Sequence, residues 1–176
     1  MSEGATKRVE VLRTYLELTE PRTGEAPVAP DPGARVERVV GCPASFFRYL
    51  YVEVGRAYHW RDRLGWTDEL IRDRLADPSV SLHLLSVAGA PAGYFELQRH
   101  PDRSVEIVYF GLLPEFIRRG LGKYLLAEAV AEAWRLSASR VWLHTCSLDD
   151  EAAMPNYLAR GFRPFRTETY EAELPE

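Results

Sequence analysis

Apolar and polar residues alternate along the chain with two different periods, one typical of strands and the other typical of helices. Seven segments have the apolar, β-branched composition of strands, and they lie at residues 9–18, 35–40, 81–88, 92–98, 105–113, 141–146 and 162–171. The second of these is either a short strand or an extended entry to the next helix. In the segment 141–146, Val141, Leu143 and Thr145 fall on one face, which predicts a strand with one buried side.

Helical spacing of apolar residues marks four further segments, which begin near Ala44, Thr67, Gly122 and Asp150. The side chain of Thr67 is suited to cap the second of these helices, which is expected to run to about Ala76. The third helix repeats its apolar residues at steps of four, and the predicted buried set is Leu121, Leu125, Ala129 and Ala133.

The order of these elements predicts an α/β protein, with an α+β mixed sheet and helices on both faces. The strands at residues 105–113 and 141–146 are joined through a helix, so the crossover rule makes them parallel neighbours. A chain of 176 residues with 46% hydrophobic composition is long enough for one well-packed core. We therefore expect a disordered N-terminus at residues 1–8 and a single domain at residues 9–176.

Charge and composition exclude several classes of protein. The net charge of −4 argues against a nucleic-acid binder, which needs a basic face. Neither a transmembrane stretch nor a signal peptide is recognisable, so we expect a cytoplasmic protein without membrane contact. The two cysteines, Cys42 and Cys146, have no histidine neighbours at ligand spacing, and the sequence predicts neither a disulfide framework nor a metal site.

A basic, glycine-containing turn follows the apolar run 105–113 and precedes the third helix. It contains Arg118, Arg119, Gly120, Gly122 and Lys123. Glycines allow close approach of the main chain, and the free N–H groups and the dipole of a helix N-terminus attract phosphate. The dinucleotide fingerprint is excluded because its third glycine is replaced by leucine, and no nucleotide-hydrolase phosphate loop occurs.

Two motifs resemble those of the GNAT superfamily of N-acetyltransferases. The run 117–122, IRRGLG, follows Leu-Leu-Pro and resembles the pyrophosphate loop [QR]-x-x-G-x-[GA], with Ile117 where the family usually has Gln or Arg. The later motif [ND]-x-x-A-x-x-x-Y-x-x-x-G-F is matched by Asp150, Ala153, Tyr157 and the pair at 161–162. The motifs cover residues 105–162, and the rest of the chain agrees only in the order of its elements.

This resemblance implies transfer of an acetyl group from acetyl-CoA to an amine by direct attack within a ternary complex, without a metal. The strands at 105–113 and 141–146 should splay apart to admit the pantetheine arm, and Tyr157 should protonate the leaving thiolate. The implied cofactor-binding residues are Phe110, Gly111, Leu112, Arg118, Arg119, Gly120, Leu121, Gly122, Lys123 and Asp150. The acceptor is a small-molecule amine or a peptide or protein amine, and the enzyme is a monomer or a homodimer.

The base that accepts the amine proton has two candidates. Glu106 leads because a carboxylate in an apolar strand needs a cavity or a partner, and a similar Glu acts as the base in the histone-acetyltransferase branch. His144 is second because an imidazole titrates near neutral pH. The acceptor should contact Tyr58, His59, Trp60 and His144.

Other interpretations of these residues remain open. Glu106 can instead pair with an arginine or meet solvent, water can serve as the base, and Tyr157 can be a packing residue. An acyl-enzyme on Cys146 is disfavoured because no adjacent base is evident. A catalytically silent acyl-CoA-binding module is the alternative function, and it needs the same phosphate loop.

Overall fold

The computed structural model describes residues 6–22 and 26–175, and their seven strands form one mixed sheet in the order β2-β3-β4-β5-β6-β1-β7. The strands are β1 (Thr6–Leu18), β2 (Ala34–Arg38), β3 (Val80–Val87), β4 (Ala90–Arg99), β5 (Val105–Leu112), β6 (Val141–Cys146) and β7 (Arg163–Pro175). The α-helices are α1 (Ala44–Gly55), α2 (Asp68–Ala76), α3 (Leu121–Arg135) and α4 (Ala153–Ala159), with short 3-10 turns at Arg56–Tyr58 and Pro114–Phe116. This arrangement confirms the predicted mixed α+β fold and its order of elements.

The two faces of the sheet are covered by different helices. On one face α3 buries Leu121, Leu125, Ala129 and Ala133, as its spacing predicts. On the other face α1 packs its apolar side against α2 and the central strands. The Oγ1 atom of Thr67 accepts a hydrogen bond from the main-chain N–H of Leu70, which confirms the predicted N-cap of α2.

β5 and β6 are parallel, but they pair only where they begin. Val105 is opposite Val141 and Glu106 is opposite Trp142, and no later residue pair of these two described strands is in register. β5 continues to pair with β4 as far as Leu112, while β6 continues to pair with β1. The central sheet therefore divides into two halves that separate from residue 107 onward, as the resemblance implies.

The N-terminal strand lies in an unexpected place. β1 begins at Thr6, so residues 6–8 belong to the sheet and the expected disordered segment is corrected there, while residues 1–5 lie outside the described part of the chain. β1 is antiparallel to both β6 and β7 and lies between them. A strand near the start of the chain thus forms part of the sheet next to the splay.

Candidate active site

A cleft of about 850 Å³ occupies the gap between the two halves of the sheet. Its walls come from the splayed part of β5, from β6, from the loop after α1, from the turn before α3 and from α4. The predicted site residues in this lining are Tyr58, His59, Trp60, Phe110, Gly111, Leu112, Arg118, Gly120, Gly122, Lys123, His144, Asp150 and Tyr157. The splay therefore brings both sequence motifs and the predicted acceptor residues to one cavity.

The free edge of β5 supplies hydrogen-bond donors to the cleft. The N–H group of Leu113 donates to the Ala92 carbonyl of β4 at 2.8 Å. Because successive N–H groups of a strand point to opposite edges, those of Phe110 and Leu112 point toward the cleft. Both residues line it. This edge is equivalent to an unpaired strand position that an extended, amide-containing ligand can fill.

The turn before α3 has the geometry of an anion-binding nest. Arg118 and Gly120 both have left-handed backbones, with φ of 63° and 76°, and Gly120 is the N-cap of α3. Such turns direct consecutive N–H groups into one concavity, and the helix dipole adds partial positive charge there. The exposed side chains of Arg118 and Lys123 bring full positive charges to the same wall of the cleft.

Two of the predicted phosphate-loop side chains point elsewhere. The guanidinium of Arg119 lies 3.5 Å from the Asp31 carboxylate and stacks over the Phe116 ring, 5.0 Å from its centroid. Leu121 is buried in the core, with 1% of its surface exposed. Neither residue lines the cleft, and contact of Arg119 and Leu121 with the cofactor stays a prediction.

Tyr157 lies on α4 and presents its ring to the cleft. The ring makes edge contacts with Phe110 and Phe162, at centroid distances of 6.3 and 6.0 Å. Burial raises the pKa of Tyr157 well above its usual value, and the nearby Asp149 and Tyr58 raise it further. The hydroxyl group is therefore un-ionised at neutral pH, and its place in the cleft lining lets it act as a hydrogen-bond or proton donor there.

Glu106 lies outside the cleft. It belongs to the part of β5 that still pairs with β6, and its Oε2 atom is 2.9 Å from Nε2 of His100. Burial raises the pKa of Glu106, and the partnership with His100 opposes that shift in part. The buried carboxylate thus has a hydrogen-bonding partner and does not line the cleft, and its role as the base stays a prediction.

His144 is the candidate base that the cleft does contain. Its side chain points into the cavity from the same face of β6 as Trp142 and Cys146, and its ring lies 5.6 Å from that of Tyr15. Burial and the Arg13 cation lower the pKa of His144, whereas Asp149, Asp62 and Glu168 act in the opposite direction. The lowered pKa favours the neutral imidazole, which can accept a proton, and the side chain is accessible from the cleft.

The loop between α1 and α2 forms the wall opposite β6. Trp60 packs over Tyr109 at a centroid distance of 4.8 Å and over Tyr51 at 5.7 Å. A Cβ atom on Gly55 would lie 2.6 Å from Cβ of Trp60, so only glycine lets the indole sit there. The indole of Trp60 is thus packed against neighbouring rings, and Tyr58, His59 and Trp60 all line the cavity.

Several lining residues carry no sequence signal for this site. Arg13 enters from β1, which pairs with β6, and Tyr170 enters from β7, which pairs with β1. Local sequence patterns do not predict these long-range pairings. Asp62 enters from the loop after α1 and accepts a hydrogen bond at 3.4 Å from the Tyr109 hydroxyl. Cys146 also lines the cleft, but burial raises the pKa of its thiol, which makes it a poor nucleophile.

Comparison with known proteins identifies the family. The model of the acetyltransferase (GNAT) family matches residues 47–162. The chain belongs to this family. No curated protein sequence matches the chain significantly.

Solved structures share the GNAT fold at low sequence identity. A GCN5-related N-acetyltransferase from Sphaerobacter thermophilus has a TM-score of 0.72 at 17% identity, covering 97% of this chain and 54% of its own. An aminoglycoside acetyltransferase from an uncultured soil metagenomic sample has a TM-score of 0.63 at 13% identity, and the match covers 76% of this chain and 90% of the other. The ribosomal-protein-S18-alanine N-acetyltransferase of Escherichia coli has a TM-score of 0.60 at 16% identity, and the match covers 81% of this chain and 93% of the other. This GNAT chain thus spans about half the length of the first of these.

Two further classes of feature do not occur in the part of the GNAT chain that the structure describes. Within residues 6–22 and 26–175, no group of three or more histidine, cysteine, aspartate or glutamate residues could hold a metal ion. Within the same residues, no helix is long and apolar enough to cross a bilayer.

Proposed function

We propose that this protein transfers an acetyl group from acetyl-CoA to an amine by direct attack in a ternary complex. The observation that carries the proposal is the convergence, in one cleft, of a free strand edge, an anion-binding nest and a protonated tyrosine. Acetyl-CoA contains a matching element for each of them, namely an amide-rich arm, a pyrophosphate and a thioester. In the complex, acetyl-CoA supplies the activated acetyl group.

Binding of acetyl-CoA uses the main chain more than the side chains. The nest at Arg118 and Gly120 and the first turn of α3 hold the pyrophosphate, while Lys123 adds charge. The N–H groups of Phe110 and Leu112 bind the pantetheine amides or the thioester oxygen. Asp150 caps the turn that leads into α4, where its Oδ1 accepts a hydrogen bond from Ala152 N–H at 2.8 Å.

The chemistry needs one proton acceptor and one proton donor. His144 accepts a proton from the attacking amine, directly or through water, because its imidazole is neutral. The new amide C–N bond replaces the thioester C–S bond, and Tyr157 donates a proton to the departing sulfur. After one turnover His144 carries an extra proton and Tyr157 lacks one. Exchange of protons with solvent restores both side chains before the next turnover.

The acceptor is a small-molecule amine or an amine of a peptide or protein. The structural neighbours include an aminoglycoside acetyltransferase and a ribosomal-protein alanine N-acetyltransferase, so the fold accommodates both kinds. The acceptor enters between the loop after α1 and the face of β6 that carries His144. A catalytically silent acyl-CoA-binding module is the alternative, and it predicts cofactor binding without turnover.

Release of free thiol from acetyl-CoA tests the proposal. The acceptor panel contains 1,4-diaminobutane, lysine amide, an alanine-initiated peptide and an aminoglycoside. We expect thiol release above the hydrolysis background with at least one amine, together with a product heavier by one acetyl group. Acetyl-CoA binding without turnover on any amine would favour the silent module.

A further inference from the structure

A single buried carboxylate holds two arginines beneath the cleft loop. Glu96 of β4 is completely buried, and Arg63 of the loop after α1 donates to both of its oxygens, at 2.6 and 3.0 Å. Arg74 of α2 donates to Oε1 of the same carboxylate from its Nε atom, at 2.9 Å. Arg63 is itself buried, with 7% of its surface exposed.

Arg74 alone would compensate the charge of Glu96. Arg74 also donates to Gln98 Oε1 at 3.0 Å, and its cation lowers the pKa of Glu106. Arg63 bonds Oε2, which Arg74 does not reach, and it adds a buried cation to a carboxylate whose charge Arg74 already compensates. Burying a cation has a large desolvation cost, and a buried ion pair is weak evidence for added stability. The presence of Arg63 thus calls for an explanation other than fold stability.

The remaining contacts of Arg63 lead to the cleft. Its guanidinium stacks on the ring of Tyr109, 4.4 Å from the centroid, and on Trp66 at 4.6 Å. Its main-chain N–H donates to the Tyr51 hydroxyl at 3.2 Å. Tyr109 lies in the splayed part of β5 and lines the cleft. Arg63 therefore fixes one end of the loop to β4, through Glu96, and to β5, through Tyr109.

The same loop is also hydrogen-bonded to the other half of the sheet, two residues earlier in the chain. Arg61 donates from Nη1 to the main-chain carbonyl of Glu173 in β7, at 2.6 Å. Between the two arginines, Asp62 accepts the hydrogen bond from Tyr109. The segment Tyr58–Arg63 thus crosses from β4 and β5 to β7 as a strap over the cleft.

We infer that Arg63 is a positioning residue for the acceptor amine. Through its bonds to Glu96, it holds the strap, and with it Tyr58, Trp60 and Asp62, as a preformed wall of the acceptor half of the cleft. The inference rests on the proposed function. The anion-binding nest belongs to the turn before α3, and β5 is held in place by its pairing with β4. We therefore expect acetyl-CoA binding to depend little on this anchor.

The experiment compares Arg63→Met with Arg74→Met. Each change leaves Glu96 paired with the other arginine, but Arg63→Met also removes the donor to Oε2, because Arg74 bonds only Oε1. A thermal melt therefore checks that both variants fold. With the best amine of the panel, we expect Arg63→Met to raise the acceptor KM by about 10-fold or more, since preorganisation is lost. The KM for acetyl-CoA should stay within about 3-fold of wild type. Arg74→Met should leave both constants near wild type.

Arg63→Lys adds a graded variant. Lysine keeps the charge but loses the bidentate and stacked geometry, so the acceptor KM should lie between those of wild type and Arg63→Met. A general structural defect would not produce this order together with an unchanged KM for acetyl-CoA. Equal increases of both KM values in Arg63→Met would overturn the inference.

Amide hydrogen exchange provides a readout that does not depend on turnover. Residues 58–63 should exchange faster in Arg63→Met and at the wild-type rate in Arg74→Met, because only the first change releases the strap. Wild-type exchange of the strap in Arg63→Met contradicts the positioning role. A wild-type enzyme that releases no thiol with any amine would overturn the proposed function, whereas the exchange experiment would still decide whether Arg63 holds the strap.

Discussion

Glu106 of β5 and Trp142 of β6 form the last pair in register before the two strands separate. The position of this pair decides which residues reach the reacting groups. Residues up to and including Glu106 belong to the continuously paired part of the sheet, and residues after it border the cleft. The chemical account of this protein depends on that boundary.

Gly120 is expected to be essential for acetyl-CoA binding. A β-branched residue does not adopt its φ of 76°, so Gly120→Val should rotate the nest N–H groups away from the pyrophosphate. We expect the Kd for acetyl-CoA, measured by calorimetry, to rise about 10-fold or more. Gly89 in the β3–β4 turn has a similar φ of 87° with open space around it, so Gly89→Val is a matched control. Equal effects on Kd would argue against the nest.

Tyr157→Phe should slow the chemical step and leave binding intact. The change retains the ring contacts with Phe110 and Phe162 and removes only the proton donor. We expect single-turnover rates to fall by about 10-fold to 1000-fold with unchanged Kd for acetyl-CoA. Tyr124→Phe on α3, which removes another buried phenol, controls for the loss of a hydroxyl. Wild-type rates in Tyr157→Phe would make Tyr157 a packing residue.

The pH dependence of turnover should report His144. Because the pKa of His144 is lowered, the rise of the rate with pH that this residue causes should have its midpoint below the usual pKa of histidine. Near neutral pH the contribution of His144 to the pH dependence should already be constant. His144→Ala should remove that limb and reduce kcat about 100-fold. Glu106→Gln serves as the comparison, because its carboxylate pairs with His100 outside the cleft. The opposite pattern would restore Glu106 as the base.

His83 should make stability dependent on acid pH. This buried imidazole stacks on Phe95 at 4.6 Å, and burial lowers its pKa from 6.5 to about 4. The unfolded chain therefore binds a proton that the folded state excludes, and stability is lost as pH falls from about 6.5 toward 4. The loss should approach ~3 kcal/mol. Chemical denaturation of wild type and His83→Leu at several pH values measures the free energy of unfolding of each, and the difference between them should change as the pH falls. The same pH dependence of the unfolding free energy in both proteins would contradict this prediction.

Local sequence patterns predicted many of the residues that line the cleft. The spacing around Gly120 and Tyr157 depends on a strand–turn–helix junction and on one helix face, both of which are set by neighbouring residues. The register of β5 against β6 is a tertiary property, so sequence alone could not show that Glu106 falls within the paired segment. Arg13 and Tyr170 depend on the insertion of β1 between β6 and β7, which is a long-range pairing. The cluster of Arg63 with Glu96 escaped prediction for the same reason.

The amide N–H groups of Phe110, Leu112 and Gly122 provide the most direct test of the central claim, that acetyl-CoA lies along the free edge of β5 with its pyrophosphate at the start of α3. NMR amide exchange of wild-type protein should be measured with and without saturating acetyl-CoA. We predict slower exchange at these groups and an unchanged rate in β3, which lies away from the splay. Unchanged exchange at both the β5 edge and the α3 turn, in protein that is saturated with acetyl-CoA, would contradict the account.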